Sequence, residues 1–192
     1  MIDLATCLSL SDYIAQANSE QLTASSDWDN IYSADRSRLY TTQNHGWSGG
    51  WNSGVNSVGE YLQVDLRTVK RLERVATQGR AGGVHWVTSY RIAHSVDGTH
   101  YAFLYNYDGS ETVFAGNSAD YDTVVEHEFH RTIVARYVRL YPQTWVDHMS
   151  LRWEVYGCDI GRNYFNFEFK SKVLQKKYFF FMKKVLHFSG YI

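Results

Sequence analysis

Proline occurs once among the 192 residues, at position 142, and cysteine twice, at positions 7 and 158. No cysteine-based zinc spacing, phosphate-binding glycine loop or Gly-x-Ser-x-Gly elbow is present, so the common hydrolytic and nucleotide-dependent chemistries have no motif to stand on. His127-Glu-Phe-His130 does not supply a metal pair, because on a strand residues three apart face opposite sides. No stretch approaches the ~20 apolar residues that span a bilayer. The segment Met1–Cys7 lacks both the charged start and the apolar run of a secretory signal, so export is not written in these residues. A formal net charge of -1 excludes a general attraction to nucleic acid.

What is present is core-forming material, with 44% hydrophobic and 16% aromatic residues. Short apolar alternations separated by Gly, Asn, Asp and Ser read as an all-β fold. Leu62, Val64 and Leu66 share one face of a strand, as do Met149, Leu151, Trp153 and Val155 of the last one, each strand burying a single face. Further strands are predicted at 71–78, 88–95, 101–107, 123–130 and 135–141. Asp97-Gly98 and Asp108-Gly109 mark hairpins, since glycine accepts the positive φ of tight turns. Pro142 follows the strand ending at Leu140, where a missing N–H costs no ladder bond.

Charge and texture change at the second cysteine. Up to Cys158 there are 12 Lys/Arg against 18 Asp/Glu, and after it 7 against 2. This divides the chain into a domain at 7–158 and a basic, aromatic tail at 159–192, read as a poorly ordered extension or as a segment lying on a membrane surface. Cys7 and Cys158 bracket the domain as a staple would, and a disulfide there places the chain in an oxidising, extracellular setting. The alternative is a pair of buried thiols in a reducing compartment. With a disulfide and no leader, the chain reads as part of a longer secreted or membrane-anchored protein, multidomain or oligomeric.

Several short runs carry a resemblance in their order and spacing. They are Gln21-Leu-Thr-Ala-Ser-Ser26, Ser33-Ala-Asp-Arg-Ser-Arg-Leu39, Gly46-Trp47, Gly59-Glu-Tyr-Leu-Gln-Val-Asp-Leu66, Thr77-Gln-Gly79, Val87-Thr-Ser-Tyr90, Ser95-Val-Asp-Gly98, Phe114-Ala-Gly-Asn117, Ala135-Arg-Tyr-Val-Arg-Leu140 and Ser150-Leu-Arg-Trp-Glu-Val-Tyr-Gly-Cys158. Together they resemble the discoidin, or coagulation factor V/VIII type C, family, and within it the domains of neuropilins and milk-fat-globule proteins. The resemblance implies a galactose-binding-like, distorted jelly-roll β-sandwich of about eight main strands, with Cys7 and Cys158 joined at one end and ligand-carrying loops at the other. It also implies a non-enzymatic cell-adhesion or recognition module.

On that resemblance the ligand loops are 26–32, 44–59, 79–86 and 143–148. Trp28, Tyr32, Trp51, Asn52, His85 and Trp86 are the candidate ligand-binding residues, because an exposed ring offers a flat apolar face with a polar edge. Trp47 and Trp145 are expected to support the loops from beneath. Neuropilin-like pockets for a basic peptide terminus use an aspartate and a hydroxyl-rich loop where this chain has Asn52 and Arg80-Ala-Gly-Gly-Val84, so that ligand is not expected. A cell-surface or matrix glycan is the favoured partner, with a receptor or collagen-like protein, or anionic phospholipid, as alternatives. No cofactor or metal is expected; calcium is left unassigned because no acidic loop has its ligand spacing.

Overall fold

The computed structural model describes Cys7 and residues 10–160. The expectation about the tail falls, from residue 161 onward, outside the described residues. Nine strands form one antiparallel sheet: β1 (Ser11–Asp12), β2 (Leu22–Ala24), β3 (Trp51–Asn52), β4 (Leu62–Gln78), β5 (Trp86–Ser95), β6 (Ala102–Phe103), β7 (Phe114–Ala115), β8 (Val125–Val146) and β9 (Ser150–Asp159). The main path runs β1-β9-β4-β8-β5-β6, with β2 on β4, β3 on β9 and β7 on β5.

The inward residues of β4, β5, β8 and β9 belong to one apolar cluster that includes Leu62, Leu72, Ile92, Leu140, Leu151 and Trp153. A single sheet therefore wraps around this main core, with a smaller cluster of Leu39, Ala76 and Tyr156 beside it. It does so through breaks in the β4–β8 ladder, between Asp65 and Lys70 and between Leu72 and Arg74. The second break shifts the inward positions from Leu62, Val64, Leu66 and Leu72 to Val75, the parity change that an irregular register produces. At the first break Arg67 adopts a φ of 64°, with its N–H donated to Asp65 Oδ1 at 2.8 Å. Asp65 also takes a two-pronged bond from Arg136 on β8, 2.8 Å in each arm, which holds its carboxyl below the ordinary range and pins both strands at the bend.

Three strand expectations change. The strand expected at 101–107 is reduced to Ala102–Phe103. The last strand buries both faces from Ser150 to Gly157 rather than one. Its apolar face joins the core, while its other face carries Arg152 and Glu154, covered by chain segments that satisfy them. Arg152 donates to the carbonyls of Gly79, Thr41 and Tyr121, and Glu154 accepts the N–H groups of Ile14, Ala15 and Val155. Pro142 lies inside β8, not past its end, opposite Tyr90 where the β5–β8 register slips, which is where a residue without an N–H is tolerated. The hairpin expectations agree with Gly98 and Gly109 at φ of 77° and 84°.

Cys7 and Cys158 form a disulfide with their Cα atoms 5.7 Å apart, closing a separation of 151 residues. Among the described residues no helix is long and apolar enough to cross a membrane.

Candidate functional site

Four loops meet beyond the ends of β4, β5 and β8 and are tied by hydrogen bonds that cross between them. Trp28 N–H donates to the Asn52 carbonyl at 3.0 Å, and Ser48 N–H to the Ile31 carbonyl at 3.0 Å, joining 26–32 to 44–59. Ala81 N–H donates to the Gly49 carbonyl at 3.0 Å, joining 44–59 to 79–86. Asn56 closes the set. Its Nδ2 reaches the Asp147 carbonyl and His148 Nδ1, and its Oδ1 accepts Met149 N–H at 2.8 Å. Loops cross-linked in this way hold side chains in place before a ligand arrives, which lowers the ordering cost of binding.

Glycine at 49 and 50 permits the approach of two backbones rather than looseness. A Cβ on Gly49 would lie 2.4 Å from the Ala81 carbonyl oxygen, and one on Gly50 would lie 3.1 Å from Arg80 Cα. That packing decides the fate of Trp51. It pairs with Leu151 in the β3–β9 ladder, is fully buried, and donates its indole N–H to Asp27 Oδ1 and the Ser26 carbonyl. The expectation of Trp51 as a ligand contact is therefore corrected to a core residue, and Asn52, buried beside it, supports Trp28 through its backbone carbonyl.

Three further loop tryptophans differ in their surroundings. Trp47, expected beneath the loops, is 45% exposed in the turn closed by the Asn44–Trp47 bridge. Trp145 packs against the core as expected. Trp86 opens β5 opposite Val146 and is half-buried, set against Gly79 rather than projecting from a loop tip. Tyr32 is half-buried with the Arg80 guanidinium over its ring, 5.7 Å from the centroid.

Trp28 stands out at 59% exposed. Its ring meets His148 edge to face at 5.1 Å, and His148 lies 6.4 Å from His85. His148 Nε2 is 2.9 Å from the Ser53 carbonyl, which fixes the ring. Asp147, at a φ of 59°, turns its carboxylate to within 2.8 Å of His85 Nδ1. Burial, reinforced by Arg80 and His148 and opposed by Asp147, pulls the His85 pKa below its ordinary value. This favours the neutral form of His85, which can both donate and accept. Around this patch stand further apolar tips, Val55, Val58, Val84 and Val146. Sequence reading did not identify Asn56 as part of the site, since its role rests on contacts 91 to 93 positions away.

Among the described residues no group of three or more His, Cys, Asp or Glu side chains is placed to hold a metal ion. His127 binds the Ala115 carbonyl and packs on Phe114, while His130 sits against Tyr107.

A chain so built is similar to several known proteins. It is 36% identical over 149 residues to neuropilin-1 of Gallus gallus, an alignment covering 76% of this chain and 16% of that protein. It is 38% identical over 117 residues to lactadherin of Rattus norvegicus, covering 60% of this chain and 27% of the relative. The structure of discoidin II from Dictyostelium discoideum superposes with a TM-score of 0.71 at 26% identity, over 81% of this chain and 61% of that one. A family 32 carbohydrate-binding module of Clostridium perfringens NanJ, solved with galactose, shares the fold at a TM-score of 0.56 and 16% identity. This chain thus spans only a small part of the length of its curated relatives. Residues 21–155 match the F5/8 type C domain, and the chain belongs to that family.

Proposed function

We propose that the domain is an extracellular, non-catalytic recognition module that binds a glycan of a cell surface or matrix through the loops 26–32, 44–59, 79–86 and 143–148. The observation that carries this reading is Trp28, an exposed indole held edge to face by His148 on loops locked by Asn56. A flat ring with the hydrogen-bonding imidazole of His85 on the same loops suits the alternating apolar and hydroxyl faces of a sugar. Asp27, Asp29 and Asp147 in the same loops weaken any attraction to an anionic surface.

A second reading has its own support in the apolar tips. Val84 is 66% and Val58 60% exposed, and with Trp28 they form a set that could enter a lipid interface. One experiment separates the two: the same protein is applied to a glycan array and co-sedimented with phosphatidylserine vesicles. Glycan binding that Trp28→Ala abolishes supports the proposal. Vesicle binding that excess sugar leaves intact, and that Val84→Ser removes, contradicts it.

A further inference from the structure

Away from these loops, a half-open pocket of about 250 Å³ lies between the first half of β8 and the β5–β6 edge, and none of its lining residues belongs to the four loops. It exists because the β4–β8 ladder skips from Glu128 to Ile133 against Arg74 and Leu72, so that 129–132 leave the register. Its floor is aromatic. Phe114 is buried and meets Phe129 edge to face at 6.0 Å, and Phe103 and the exposed Tyr105 complete the walls.

The charge of the pocket runs against that of the domain. Arg131, His130 and His94 line it, and no Asp or Glu does. Several other arginines are paired with acids, Arg91 with Glu111, Arg74 with Glu126, Arg136 with Asp65 and Arg152 with Asp122, and Arg36 and Arg139 are held by neutral acceptors. Arg131 has no acidic partner among the described residues and rests only over the Tyr107 ring, 5.3 Å from its centroid. In a domain with 18 acidic and 12 basic side chains, an unpaired guanidinium at the rim of an aromatic pocket is a place for a ligand's anion.

We infer that this pocket is a second ligand site that takes a carboxylated sugar ring, its apolar face on the phenylalanine floor and its carboxylate on Arg131. The volume lies below the ~300–1,000 Å³ of sites for drug-sized ligands, which favours a single terminal ring. The imidazole of His94 offers a contact to a sugar hydroxyl, whereas Thr112 Oγ1 already donates to Asn106 Oδ1 and Thr132 Oγ1 already accepts from Arg71. An acidic side chain of a peptide would use the arginine but leave His94 idle.

The test is an amide NMR titration of the full chain with methyl glucuronide, methyl glucoside and an acetylated Asp-Phe dipeptide amide in parallel. The glucuronide is expected to shift amides at 103–105, 112–114 and 129–134. Binding should be at least roughly tenfold weaker for the neutral glucoside and for Arg131→Gln, the loss expected when a charge-assisted bond is removed. Trp28→Ala should leave these shifts unchanged, which keeps the result independent of the loop site. Absence of shifts at the pocket, equal binding of glucoside and glucuronide, binding of the dipeptide alone, or indifference to Arg131→Gln would each overturn the inference.

Discussion

Two tryptophans 23 positions apart divide the work of the loop end. Trp28 is held in place by bonds to its backbone and leaves its ring to solvent, whereas Trp51 is enclosed and has its indole N–H satisfied. Trp51→Ala should therefore lower the unfolding free energy by about 3–5 kcal/mol, and Trp28→Ala should change it by no more than about 0.5 kcal/mol, both read from urea denaturation. Equal losses would mean that Trp28 is also structural. Trp28 is exposed and Trp145 packs on the core, surroundings that their sequence neighbours already suggested. Sequence reading reversed Trp47 and Trp51, because the glycines around Trp51 look open in sequence while in space they admit the backbone of Ala81 and Arg80. Only the pairing of β3 with β9, nearly 100 residues on, determines that.

At the scale of elements, β9 holds a titratable device. Burial pushes Glu154 from 4.5 up to about 7, although three backbone N–H groups favour its ionised form. A carboxyl whose folded pKa is raised binds a proton that the unfolded chain releases, so its contribution to stability falls as pH rises from 4.5 to 7. At about 1.4 kcal/mol per unit the fall is about 3 kcal/mol at most. Asp27, raised by burial, and His85 and His94, lowered by it, titrate in the Glu154→Gln variant too and cancel in the comparison. The difference in unfolding free energy between native protein and variant should shrink over that window; a constant difference would mean that Glu154 is ionised throughout.

Glycine 49 belongs to the same scale, since it lets two loops touch. Gly49→Ala forces a backbone shift and should destabilise by about 1–3 kcal/mol, while weakening any ligand that bridges Trp28 and His85. Thermal unfolding and binding measured together check both effects. The strands were largely readable from alternation, including the separation of 62–66 from 71–78 at what proves to be the Arg67 bend in β4. The second buried face of β9 was not, because polar residues such as Arg152 and Glu154 give no sign in sequence that distant carbonyls and N–H groups will cover them.

For the whole molecule, the disulfide ties the two ends of the domain opposite the partners that fix its loops. Loop closure over 151 residues constrains the unfolded chain by about 4–5 kcal/mol in the entropic account, so Cys7→Ser should lower the melting temperature by on the order of 10 °C. An unchanged melting temperature would show that the bridge contributes nothing. With its ends stapled, the domain holds its cross-linked loops in place, and from them the Trp28 ring is exposed. The most direct measurement is amide and indole NMR mapping with the neutral glycan that binds best on an array. The largest shifts are expected at the Trp28 indole N–H and at the amides of His85 and His148, lost in Trp28→Ala; shifts centred on any other surface, with those three signals unmoved, would contradict a ligand site on these loops.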